Sequence, residues 1–212
     1  MLKEILCFDH PGPKNTKELI NFVLKRAYEL KIRRIVVASR TGRTALSFAE
    51  ANSNKEIEIV CVTHQFGHKE PGKWRIAPEI HQSLLEKKIP VVSTIMPLTT
   101  LGRIFNPSWE PPASYEEAHK PEVAIKISET TFYRTPFPLD VVADTLRLFS
   151  QGMKVCIEIT LMAADTGAIA VDREIIAVGG TGSGADTAIV IMPSHTHRLF
   201  NLRIREIIAM PR

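Results

Sequence analysis

Residues 34–49, RIVVASRTGRTALSFA, decide how the fold is read: an apolar strand runs through a short polar loop straight into an amphipathic helix. Arg34 to Ala38 is the strand, rich in β-branched side chains that suit a pleated surface. Ser39 to Arg43 supplies hydroxyls, one glycine and two guanidiniums, and Thr44 opens the expected helix. The first N–H groups of a helix lack intrahelical partners, and the helix dipole favours negative charge at that end. Hydroxyls and arginines placed there read as a cradle for a phosphate. The plainer alternative is that Ser39 or Thr41 merely caps the helix.

Working outward, the chain alternates strand-like and helix-like segments. Leu2 to Phe8 is a strand-like start, followed by a Pro/Gly turn over residues 9–14. Asn15 with Glu18 three residues on has the spacing of a capping box, and Leu19, Phe22, Val23, Ala27 and Leu30 then share one helical face. Ile57 to Thr63 is a second buried strand, running into His64, Gln65, Phe66, Gly67 and His68. Pro78 to Lys87 predicts a helix and Pro90 to Ile95 a third strand. Residues 97–137 are rich in proline and read as an excursion within one domain spanning residues 1–212. Pro138 to Ser150 predicts a helix closed by Gly152. Glu174 to Gly179 and Thr187 to Pro193 predict strands. Such alternation predicts an α/β/α sandwich in three layers, its sheet mostly parallel with an antiparallel edge strand.

Composition excludes several classes. Of 212 residues, 44% are hydrophobic and 24% charged, the balance of a globular protein, and the net charge is only +4. The basic residues are scattered among acids and not interleaved with aromatics, so neither duplex nor single-strand nucleic acid is expected as a partner. Cys7, Cys61 and Cys156 have no CxxC spacing and are expected to be three buried thiols in a reducing compartment. No charged-then-apolar leader opens the sequence and no apolar run is long enough to span a bilayer, so a cytoplasmic protein without membrane contact is expected.

The second informative segment is residues 175–193, IIAVGGTGSGADTAIVIMP. Its glycines alternate at 180, 182 and 184, and a strand follows where a dinucleotide-binding unit requires a helix, so this is not a Rossmann fingerprint. It reads as a hairpin whose loop, Gly180 to Asp186, exposes backbone N–H groups as a nest for an anion or a flat ligand, or else as a long flexible hairpin loop.

Together, the Ser39 to Ala45 loop and the Val178 to Val190 hairpin resemble the C-terminal domain of pyruvate kinase. The match is closer to small stand-alone archaeal and bacterial proteins of that fold. Ala38-Ser39 with Gly42 to Ala45, Met162 to Ile169, Gly179 to Ala188 and Glu206 to Arg212 all fit their motifs. Residues 94–137 depart from the group: Met96, Leu98-Thr99-Thr100 and Arg103 stand where it has a His, a Leu-Ser-Gly and an Arg. The resemblance implies a flavin mononucleotide (FMN) binder with no established reaction. It also implies that Lys154 to Ala168 is helical, although VCIEIT within it is strand-like by propensity.

In such a sheet, ligands collect beyond the carboxyl ends of the parallel strands. The resemblance therefore implies a phosphate held by Ser39, Arg40, Thr41, Gly42, Arg43 and Thr44. The isoalloxazine would lie toward His64, Gln65 and the loop of Gly179, Gly180, Thr181, Gly182, Asp186 and Thr187, with Arg103 or His64 near its pyrimidine edge. No metal is expected: the pairs His64/His68 and His195/His197 bring no third ligand at short range. Three functions stay open. One is an FMN-dependent oxidoreductase, the second a regulatory sensor binding a phosphorylated metabolite, and the third a hydrolase using Glu158 or Asp165. The expected partner is a small phosphorylated ligand, and a homo-oligomer stays open.

Overall fold

A computed structural model describes residues 4–52, 56–100 and 138–212. Seven strands form one sheet: β1 (Leu6–Phe8), β2 (Arg34–Ala38), β3 (Glu58–His64), β4 (Val91–Thr94), β5 (Ile175–Gly179), β6 (Thr187–Met192) and β7 (Arg203–Pro211). Their order across the sheet is β1-β7-β6-β5-β2-β3-β4. β2 runs parallel to both β3 and β5, β3 to β4, and β1 to β7. β6 is antiparallel to both its neighbours. The reversed strand therefore lies third from one side, between β7 and β5, and is not the outermost strand.

Both faces of the sheet are covered, which is why β2 reads as a continuous apolar run and not as an alternating one. Ile35 and Val37 pack into a core with Leu19, Val23 and Ala27 of α1 (Thr16–Leu30), Ala45 and Phe48 of α2 (Arg43–Ala51), and Leu84 of α3 (Pro78–Glu86). Val36 points the other way, into a core with Ala143 of α4 (Pro138–Arg147) and with Met153, Cys156 and Leu161 of α5 (Gln151–Asp165). Period-two side chains on the strands thus build two separate cores, and the three-layer α/β/α arrangement follows.

Several local expectations are corrected. Asn15 makes no side-chain cap on α1; its amide donates to the His10 carbonyl at 2.7 Å instead. Phe22 and Leu30 only flank the core, while Ile20 and Leu24 enter it. α2 begins at Arg43, one residue before Thr44. α4 stops at Arg147, so Gly152 closes nothing; it lies in the first turn of α5, which Ser150 caps by accepting from Met153 N–H at 2.9 Å. α5 covers most of the Lys154 to Ala168 stretch, in favour of helix and against local strand propensity. Of the three cysteines, Cys61 and Cys156 are buried but Cys7 is exposed. The excursion at 97–137 falls almost wholly outside the described residues.

Candidate functional site

Because β6 alone is reversed, the carboxyl ends of the other six strands share one edge of the sheet. The loop after β2 is tied to β3: Ser39 N–H donates to Val62 O at 2.8 Å and Thr63 Oγ1 donates to Arg40 O at 2.9 Å. Ser39 is buried, and its Oγ accepts from the N–H groups of Thr44 and Ala45 at 3.1 and 3.4 Å. Capping is therefore what Ser39 does. Gly42 takes a left-handed φ of 82°, and a Cβ there would meet Ile80 and Leu84 of α3 at 2.7 and 2.9 Å. Its lack of a side chain thus serves the turn and the packing of α3. Arg40, Thr41 and Arg43 are left exposed, and Thr44 is half-buried.

The loop after β3 folds back over β4. His64 and His68 stack face to face, with ring centroids 4.0 Å apart and planes 1° from parallel. Trp74 stacks on Phe66 at 5.9 Å and meets His81 edge-on at 4.9 Å. The Trp74 indole N–H donates to Ser93 Oγ at 3.1 Å, and that hydroxyl donates to His64 O at 2.8 Å. Gln65 is half-buried beside this cluster. Partial desolvation of its guanidinium, and then the charge of Arg75 from the same loop, lowers the proton affinity of Arg40. Arg75 was not among the sequence candidates. It lies 35 residues from Arg40, and only the parallel pairing of β2 with β3 brings the two together.

The glycine-rich loop splits into an inner and an outer part. Asp186 is wholly buried, and its carboxylate accepts from Gly12 N–H at 2.9 Å, Thr181 N–H at 3.0 Å and Thr187 Oγ1–H at 2.8 Å. Thr187 spends its one hydroxyl proton there, so Ser150 Oγ is the donor in the 3.1 Å bond between Ser150 and Thr187. Ala185 N–H donates to Thr16 Oγ1 at 2.9 Å. Part of the nest is thus filled by the protein's own carboxylate. Gly179 is buried against Gly152, Gly180 and Thr181 are half-buried, and Gly182 is exposed with open space where a Cβ would point.

A model of the family described as pyruvate kinase, alpha/beta domain matches residues 17–191. The chain belongs to that family. The match runs from α1 to within β6, so it includes the loops at 39–44 and 179–187 but leaves β1 and β7 outside. In this pyruvate kinase alpha/beta domain, Glu158 and Asp165 do not share a site. Glu158 is buried, paired with Lys154 Nζ at 2.8 Å and accepting from Thr99 Oγ1 at 2.7 Å. Asp165 lies at the far end of α5 and accepts from Thr196 N–H at 3.1 Å, with His195 Nδ1 at 3.2 Å. Among the described residues, no three His, Cys, Asp or Glu side chains are placed to hold a metal ion. No helix there is long and apolar enough to cross a membrane. Arg103 lies outside the described residues.

Proposed function

We propose that this chain is a cytoplasmic protein that binds FMN at the carboxyl edge of its sheet, with the phosphate on the 39–44 loop. The observation that carries this reading is the exposed set of Arg40, Thr41 and Arg43 at the start of α2, which brings hydroxyls, guanidiniums and a helix N-terminus together in one turn. The residues present fit the group. Among the described residues no carboxylate forms an ion pair with Arg40 or Arg43, whereas Arg26, Arg34, Arg147, Arg173 and Arg205 each have one. The loop after β5, the strand on one side of β2, has open space at Gly182, and His64 and Gln65 stand at the end of β3, the strand on the other side. When bound, the isoalloxazine supplies redox chemistry, while the chain's own groups hold the phosphate and orient the ring.

A second reading, a sensor that binds a phosphorylated metabolite without reaction, is favoured by one observation. Glu158 is neutralised by Lys154, and Asp165 is engaged by Thr196, so neither is placed as an acid or base at this edge. The hydrolase reading loses support for the same reason. Titrating FMN and riboflavin against wild type and Thr44→Ala tests the assignment. A hydrogen bond to a charged phosphate contributes about 1.5–3 kcal/mol, so Thr44→Ala is expected to weaken FMN roughly tenfold to a hundredfold and leave riboflavin unchanged. Equal losses for both ligands, or flavin absorbance that passes a desalting column unbound, overturn the reading.

A further inference from the structure

We propose that Arg75, from the loop after β3, is the second arm of the anion site and forms with Arg40 a two-guanidinium clamp for a dianionic phosphomonoester. The inference rests on the reading that the 39–44 loop takes a phosphate, and it adds a residue and a charge class to it. The geometry begins with register: Ala38, the last residue of β2, pairs with Val62, so the 39–44 loop leaves alongside the last two residues of β3. Ser39 N–H and Thr63 Oγ1–H then stitch the first loop to β3. Ile76, the residue after Arg75, reaches the first loop, with its Cγ2 3.7 Å from where a Gly42 Cβ would lie. Arg40 and Arg75 are thus carried by two backbones that are each fixed to the same turn.

No carboxylate among the described residues forms an ion pair with Arg40, Arg43 or Arg75, although other arginines of the chain have one. The repulsion of Arg75 adds to burial in lowering Arg40's hold on its proton. An anion between the two would relieve that repulsion. A phosphomonoester carries about 1.5 to 2 negative charges at neutral pH and three terminal oxygens, enough to accept from two forked guanidiniums at once. A carboxylate or a phosphodiester offers one charge, and leaves one arginine without a full partner.

The test uses the full chain with Arg75→Ala, Arg75→Lys and Arg40→Ala, each checked for folding by circular dichroism. FMN and riboflavin are titrated by flavin fluorescence, and ribose 5-phosphate and ribose by calorimetry. Arg75→Ala is expected to weaken FMN and ribose 5-phosphate roughly tenfold to a hundredfold. Arg75→Lys should recover part of that loss, because it keeps the charge but not the fork. Riboflavin should not respond. Unchanged FMN affinity in a folded Arg75→Ala overturns the clamp and leaves the flavin reading standing. Ribose 5-phosphate binding that depends on Arg75, with no FMN binding, supports the clamp and removes the flavin. Equal losses of FMN and riboflavin overturn the clamp, since Arg75 would then be shaping the protein and not holding the phosphate.

Discussion

At the scale of single residues, burial decides which groups are chemically available. Burial pushes the Cys61 thiol up to about 12. Burial raises Cys156 as well, aided by the Asp186 charge and opposed by the hydrogen bond from Gly179. Because the thiolate is the reactive form, brief alkylation of the folded protein should label Cys7 alone, and mass spectrometry of the digest checks this. Asp165 makes a different point. Burial works against its charge, but the hydrogen bonds from Thr196 and His195 outweigh it and hold the carboxyl below its usual value. A group depressed in the folded state adds stability above its unfolded pKa of about 3.9, and that contribution is lost as pH falls through the folded value. Asp165→Asn should therefore lower Tm at pH 7, with the gap to wild type closing in acid; a gap that persists at low pH would assign the loss to packing. Single residues were also the hardest to read from sequence. Asp186 looked like a ligand-facing acid because its loop is polar and glycine-rich. One of its three partners, Gly12 N–H, comes from a segment 174 residues away that local pattern does not reach.

At the scale of elements, close approach of backbone to backbone sets where side chains are forbidden. α5 meets the β5–β6 hairpin through Gly152, whose Cβ would fall 2.1 Å from Thr187 Oγ1 and 2.9 Å from Asp186 Oδ1, and through Gly179, whose Cβ would fall 2.5 Å from Gly152 O. Gly152→Ala is expected to cost at least the 1–3 kcal/mol (roughly) of an overpacked core site, and to displace the Ser150–Thr187–Asp186 chain of hydrogen bonds. Urea unfolding measures the loss; a neutral result would mean that α5 can slide without cost. This contact also explains how Gly152 misled the sequence reading. A glycine after a helical run suggests a C-cap, but here it serves the start of the next helix. The same helix shows where pattern gives out. VCIEIT has strand-like residues, and its burial all round removes the periodicity that would have marked a helix. By contrast, the β2–loop–α2 unit was legible, because a β-branched run, a positive-φ glycine and an amphipathic turn agree with one another within sixteen residues.

At the scale of the whole molecule, the sheet order explains both the shared edge and why it was readable only in part. Strand and helix alternation in the sequence predicts the layers and the parallel pairs, since short crossovers force them. It does not predict that β6 is flanked on both sides, because that depends on β7 turning back beside it. The loops that follow β5, β2 and β3 owe their proximity to the adjacency of these three strands, whose sequence separations differ widely. Among the described residues β1 pairs with β7 alone, and Arg212 N–H donates to Phe8 O at 2.9 Å. During synthesis, therefore, β1 waits for nearly two hundred further residues before β7 is made. Until then that edge of the sheet is unfinished, and the pairing waits on a long-range closure that is intrinsically slow.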